Sequence, residues 1–311
     1  MAALRAQKSR LSVNVTYWAA RRLVASRQAR QTPKKVIDAE WHADVSADRD
    51  AYADWRYRTL HHQFTQYFGA ESAKGKVALD FGCGDGALCI ALMDARAERV
   101  HGVDLAERSL AQFAKRLSGY TGERRPTFSR STSPVTIDEP DETYDAIYCL
   151  DTLEHVIDYR AIILEWHRIL RPAGCVYIWW QPYWHPFGHH RYDWMPIPWA
   201  HAFLTEQEMD DVCAKIVDWP DFNAPIWDRN PDGTRKNRFR VPGAGNFLNK
   251  LTTLQFERTC RDVGFLLKRR EFYPFTWPQP AKAISALMTK VPIARDFFMA
   301  CAVYQLMRNH Q

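Results

Sequence analysis

The sequence contains no Cys-x-x-Cys pair. Its seven cysteines (Cys83, Cys89, Cys149, Cys175, Cys213, Cys260 and Cys301) stand singly, several of them inside apolar runs. That scatter excludes a disulfide framework and a zinc ribbon, and it reads as the reduced, buried thiols of a cytoplasmic protein. No apolar run approaches the ~20 residues that a membrane-spanning helix needs. Internal repeats and low-complexity tracts are also missing, which excludes a solenoid or a fibrous chain. Acidic residues are absent from 1–37, a stretch with nine Lys/Arg. The whole chain carries +6, so the remainder stands at −3, without the electrostatic footprint of a protein that binds long nucleic acid. At 311 residues and 46% hydrophobic, the chain has the length and composition for one large domain or two modest ones.

The acid-free arm includes "LSVNVTYWAARRLVASRQARQ". It reads first as a partly docked, solvated helix. An interfacial helix on anionic lipid, a contact with a protein partner and an organelle-targeting leader are the alternatives. Within 38–74, the spacing of Tyr52, Trp55, Leu60, Phe64, Tyr67 and Phe68 predicts a helix. Strand and helix patterns then alternate: "KVALDFG", "GALCIALMDAR", "RVHGVDL", "ERSLAQFAKRL", "YDAIYCLD", "YRAIILEWHRIL", "GCVYIWWQP". This order predicts parallel strands with crossover helices in a doubly wound α/β sheet. It breaks after Pro182 and resumes with a helix in "TTLQFERTCRDVG", a strand in "FLLKRREFY" and an apolar run, "DFFMACAVYQLMR". Four parts are expected: an arm and helical extension (1–70), a core (71–182), a cap (183–250) and the rest of the core (251–311). Seven of the twelve tryptophans lie between Trp179 and Trp227, material for aromatic walls.

"VALDFGCGDGALCIAL" reads as strand, tight turn and helix, with Gly82, Gly84 and Gly86 allowing backbone to approach a ligand. The opening turn of a helix favours an anionic group nearby. A second strand ends in Asp104, whose carboxylate can accept both hydroxyls of a ribose. The dinucleotide fingerprint requires Gly-x-Gly-x-x-Gly, whereas this loop is Asp-x-Gly-x-Gly-x-Gly, beginning at Asp80. From about Val77 through Trp180, and again over 252–308, the chain resembles class I S-adenosylmethionine-dependent methyltransferases. The resemblance implies a Rossmann-like, doubly wound sheet of seven mostly parallel strands, with the Trp/His-rich insertion after the fifth. It also implies S-adenosyl-L-methionine as cofactor. Asp80, Gly82, Cys83, Gly84 and Gly86 would hold its methionine part, Asp104 its ribose and Leu105 its adenine, with Leu150 lining the site. Many relatives carry Asp in the loop over the adenine edge, where this chain has "RSTSPVT", so Ser131 and Thr132 take that place.

"LDTLEHVID" sets Asp151, Glu154 and His155 at the end of an apolar run. If a helix starts near Thr152, the three share one face. The segment "YWHPFGHHRYDW" adds His185, His189, His190 and Asp193 after the next strand. Carboxylates and imidazoles together suit Mn, Fe, Co or Zn. The pattern is similar to that of metal-dependent small-RNA 3′-end 2′-O-methyltransferases and of ubiquinone-pathway O-methyltransferases. That resemblance implies Asp151, Glu154, His155 and His190 as ligands, although the first acid is Asp where relatives have Glu. A metal-free site with His155, His189 or His190 as general base, and a purely structural cluster, are the other readings. His201 in "IPWAHAF" reads as packing, and "RNPDGTRKNRFR" as a solvated basic loop. The expected reaction is methyl transfer to oxygen on a small molecule or sugar. A nucleic-acid end is a less favoured acceptor, and a noncatalytic binding protein is the remaining alternative.

Overall fold

The computed structural model describes residues 2–29, 34–36, 39–41, 49–230, 232–241, 248–276 and 281–309. The chain begins with α1 (Ala2–Ala29), a two-strand hairpin of β1 (Lys34–Val36) and β2 (Ala39–Trp41), and α2 (Arg49–Tyr67). There follow β3 (Val77–Phe81), α3 (Ala87–Asp94), β4 (Arg99–Asp104), α4 (Glu107–Ser118) and β5 (Thr127–Arg130). Next come β6 (Tyr144–Leu150), α5 (Tyr159–Ile169), β7 (Leu170–Trp180), α6 (Ala200–Phe203) and α7 (Glu206–Val217). The chain closes with α8 (Thr253–Val263), β8 (Phe265–Pro274), α9 (Ala281–Met288), α10 (Arg295–Phe298) and β9 (Met299–Arg308). Two compact units result, one of Met1–Trp55 with Trp184–Phe247 and one of Arg56–Tyr183 with Leu248–Gln311.

The second unit holds a seven-stranded sheet in the order β5-β4-β3-β6-β7-β9-β8. Pairs from β5 to β7 are parallel, and β9 enters antiparallel between β7 and β8. Strands covered on both faces lose the apolar–polar alternation, and β3 is buried at every position. The doubly wound sheet expected from the sequence is therefore present, with its direction of winding reversing between β3 and β6. β5 carried no sequence signal: it is a four-residue edge strand, "TFSR", with no fully buried position. All seven cysteines are free thiols and six are buried, five on core positions of strands and helices and Cys83 in the loop after β3.

The return limb is pinned by Glu257 of α8, whose carboxylate is buried. It accepts from Arg270 at 2.9 Å, Arg261 at 3.0 Å, the Tyr304 hydroxyl at 3.3 Å and Arg295 at 3.4 Å. Burying a carboxylate is unfavourable unless several donors replace its water, which these four do.

In the first unit, α1 packs Val13, Ala20 and Val24 on Met209, Val212 and Ile216 of α7, together with Trp194, Trp219 and Phe222. Thr205 and Glu208 close a reciprocal cap at the start of α7. The arm is thus a docked helix on one of its faces.

Truncating one partner of a buried ionic cluster strands the others. Glu257→Ala is expected to destabilise the protein by about 3–5 kcal/mol, read by urea unfolding. A loss within that of an ordinary surface substitution would contradict this account of α8.

Candidate active site

Open α/β sheets bind ligands beyond the carboxyl ends of their strands, where the winding reverses. Here that point lies between β3 and β6. After Phe81 the chain must turn at once into α3, and Gly82, Gly84 and Gly86 all take left-handed backbone angles. Two of them differ in purpose. A Cβ on Gly82 would stand 2.3 Å from the Thr152 side chain, so this glycine lets the β3 and β6 ends close together. A Cβ on Gly84 would meet nothing within 4 Å, so its backbone faces open space.

Acids surround that open backbone. Asp104, at the end of β4, accepts the Gly84 N–H at 2.9 Å with one carboxylate oxygen and the Ala106 N–H at 2.7 Å with the other. Each oxygen retains a lone pair, enough to accept a pair of neighbouring hydroxyls. Asp85 takes the Ala87 N–H at 3.2 Å, capping α3, and is itself held by Arg116. Asp80 is buried and accepts from the Cys89 thiol at 3.1 Å. Burial above all, then the charges of Asp104 and Asp85, raises its carboxyl to about 7. The loop was expected to leave helix-opening amides for an anion. Instead the Gly84 and Ala87 amides are bonded to Asp104 and Asp85, while those of Gly82 and Cys83 go to the Val103 carbonyl and that of Gly86 to the Cys83 carbonyl, so a pyrophosphate would meet three acids. A cationic nucleoside is the better partner for such a field.

Leu105 follows Asp104 and is 48% exposed, an apolar shelf beside the carboxylate. Ser131 joins this edge through its N–H to the Asp104 carbonyl at 2.9 Å, while Thr132 is exposed. Cys83 and Leu150 are buried, so they shape the floor.

At the end of β6, Asp151 has φ 56°, and Leu153–His155 form a single 3-10 turn. The helix expected from Thr152 does not start there. α5 begins at Tyr159, with Asp158 accepting the Ala161 N–H at 3.0 Å. Asp151, Glu154 and His155 therefore do not share a helical face: Glu154 is buried and His155 is exposed. Burial first, then the Asp151 charge, holds the Glu154 carboxyl well above its ordinary value. Asp151 pairs with Arg56 at 2.9 Å. The cation this cluster requires is thus supplied by α2, a partner with no signature at the motif. Asn249 braces the turn, donating to the Leu153 and Val156 carbonyls at 2.7 and 2.8 Å.

The cap histidines belong to the other unit. His189 is fully buried; its Nδ1 accepts the Arg191 N–H at 3.0 Å and its Nε2 donates to the Ile197 carbonyl at 3.3 Å. Burial above all, then His201, lowers its pKa to about 3. With both nitrogens committed, His189 has neither lone pair nor proton to offer, and its candidacy as a base is withdrawn. His190 is half-buried on a turn with φ 52°. His201 is buried, its ring centroid 5.5 Å from that of His189, consistent with packing.

The methyltransferase domain family matches residues 79–178, which hold the loop, Asp104 and the acid cluster. That segment belongs to the class I S-adenosylmethionine-dependent methyltransferase superfamily. Among curated proteins, the chain is 36% identical over 154 residues to a ubiquinone biosynthesis O-methyltransferase of Idiomarina loihiensis, covering 47% of this chain and 62% of that protein. It is 38% identical over 105 residues to the protein of the same name from Pseudomonas syringae pv. tomato, covering 33% and 43% respectively. The chain thus spans about three fifths or less of the length of these relatives. An S-adenosylmethionine-dependent methyltransferase structure from Mesorhizobium loti aligns with a TM-score of 0.45 at 20% identity, covering 76% of this chain and 93% of that one.

The raised Asp80 has a thermodynamic consequence. A carboxyl at about 7 in the fold and 3.8 in the unfolded chain contributes stability that is intact below pH 3.8 and lost as pH rises towards 7. Asp80→Asn removes that titration. The variant should match the parent near pH 4 and exceed it by as much as about 4 kcal/mol above pH 7, measured by urea unfolding across pH. A stability difference that does not change with pH would refute the assignment.

Proposed function

We propose that this protein is an S-adenosyl-L-methionine-dependent methyltransferase that methylates a hydroxyl of a small molecule. The observation that carries the reading is the open Gly84 backbone with Asp80, Asp85 and Asp104 gathered around it. Asp104 suits a ribose diol, the shelf at Leu105 suits a flat purine, and the acidic loop suits an ammonium and a sulfonium. The cofactor supplies a methyl group already activated by positive sulfur. The chain's work is to hold it, exclude water and align an acceptor, which is worth roughly 7–11 kcal/mol of barrier. A hydroxyl acceptor also has to lose its proton. His155, exposed where β6 runs out, is the base we assign, and Arg56 pairs with Asp151 at the same strand end. The names of the two curated relatives support oxygen as the methylated atom.

Calorimetric titration with S-adenosyl-L-methionine should show one site, and Asp104→Ala should weaken it by at least about tenfold. Silence at millimolar cofactor would end the proposal. With a phenolic acceptor panel, His155→Ala should lower kcat by about 10²–10⁴-fold and leave cofactor affinity unchanged.

The metal reading is a separate proposal. Asp151 is drawn off by Arg56, so Glu154 and His155 are the donors left at the β6 end, with His190 expected from the sequence as a third. A carboxylate and imidazoles fit Mn, Fe, Co or Zn, and such an ion would act as a Lewis acid on the acceptor oxygen. Metal analysis after reconstitution should find about one ion per chain in the parent and a loss in Glu154→Ala, His155→Ala and His190→Ala. Equal, negligible content in all four proteins would dismiss it.

A further inference from the structure

The side of α1 that does not face α7 is apolar. Leu11, Val15, Trp18 and Leu23 are 66%, 62%, 56% and 44% exposed, with Ala19 and Arg22 exposed between them. Spacings of four and three residues set Leu11, Val15 and Trp18 on one face of the helix, with Arg22 among them, over roughly 10 Å at 1.5 Å per residue, while Leu23 lies about 140° round from Trp18 at the edge of the exposed side. The helix already meets its core through Val13, Ala20 and Val24. Packing within the unit therefore does not explain why Leu11, Val15 and Trp18 are grouped on its outer side, with Leu23 exposed at the edge.

Charge narrows the choice of what would cover them. The helix has no acid along its length, and residues 1–37 carry nine bases. Arg22 lies within the row, and the Arg21 guanidinium sits 5.1 Å from the Trp18 ring centroid, at the row's flank. An apolar row that includes tryptophan, bordered by bases and free of acid, matches the boundary between lipid tails and anionic headgroups. A second protein surface could cover the apolar row but would have no need of an acid-free helix.

We propose that the protein docks peripherally on anionic lipid bilayers through the outer face of α1, with Leu11, Val15 and Trp18 entering the headgroup boundary and the neighbouring arginines meeting lipid phosphates. The helix lies along the surface, since a residue such as Arg22 on its apolar side is tolerated at an interface and not in a span. This inference is independent of the methyl-transfer reading.

The test uses the full chain and extruded vesicles of phosphatidylcholine, with or without about one third phosphatidylglycerol. The protein should co-sediment with the anionic vesicles, much less with phosphatidylcholine alone, and release as salt is raised. Leu11→Gln/Val15→Gln/Trp18→Gln should lower partitioning by about tenfold or more with unchanged circular dichroism, and Arg22→Glu should lower it several-fold. The proposal is overturned if the parent stays in solution with anionic vesicles, or if the triple variant binds as the parent does. It is equally overturned if sedimentation equilibrium without lipid shows a dimer that the triple variant abolishes, which would make a second copy the occupant.

Discussion

The carboxylate of Asp104 bonded to the Gly84 amide ties the end of one strand to the loop after another, and the site rests on it. It fixes a left-handed turn with its open side outward and brings an acid to where a sugar would lie. The same turn draws in Asp85 and leaves Asp80 buried below it. A phosphate loop keeps its amides free for an anion. Here the Gly84 and Ala87 amides are taken by Asp104 and Asp85, so this side of the loop carries negative charge where a phosphate loop offers positive.

Compensation for so much negative charge comes from elements remote in sequence. Arg116 of α4 holds Asp85, and Arg56 of α2 holds Asp151. The thiol of Cys89 is the donor within reach of Asp80, and a neutral donor relieves the burial of a charge only in part. Asp80 is therefore the group most sensitive to a cation arriving in the open space. Burial raises its carboxyl first, and the charges of Asp104 and Asp85 add to that.

The β6 end shows how a motif and its geometry can part. Acid, acid and histidine at intervals of three and four imply a helical face, but the left-handed backbone at Asp151 and the 3-10 turn after it replace that helix, leaving Glu154 buried and His155 exposed with donor atoms still within 4.8 Å of each other. Asn249, from a segment far along the chain, holds that turn by its backbone carbonyls. In the cap, His189 answers to the same logic: a polar side chain enclosed by its own loop bonds to that loop and becomes neutral scaffolding.

Sequence alone determined the doubly wound order, the glycine turn between Phe81 and Ala87, Asp104 at the next strand end, and buried thiols. Each follows from local periodicity or from a backbone conformation that glycine alone adopts cheaply. It was silent on β5, whose four half-exposed residues have no period to read. Only the tertiary structure decided that Arg56 meets Asp151, that Asp104 takes the Gly84 amide, and that α1 keeps one apolar face bare while the other is buried. Those outcomes depend on which side chains meet across long stretches of chain, and an ion pair or a buried face leaves no mark in the spacing of either partner.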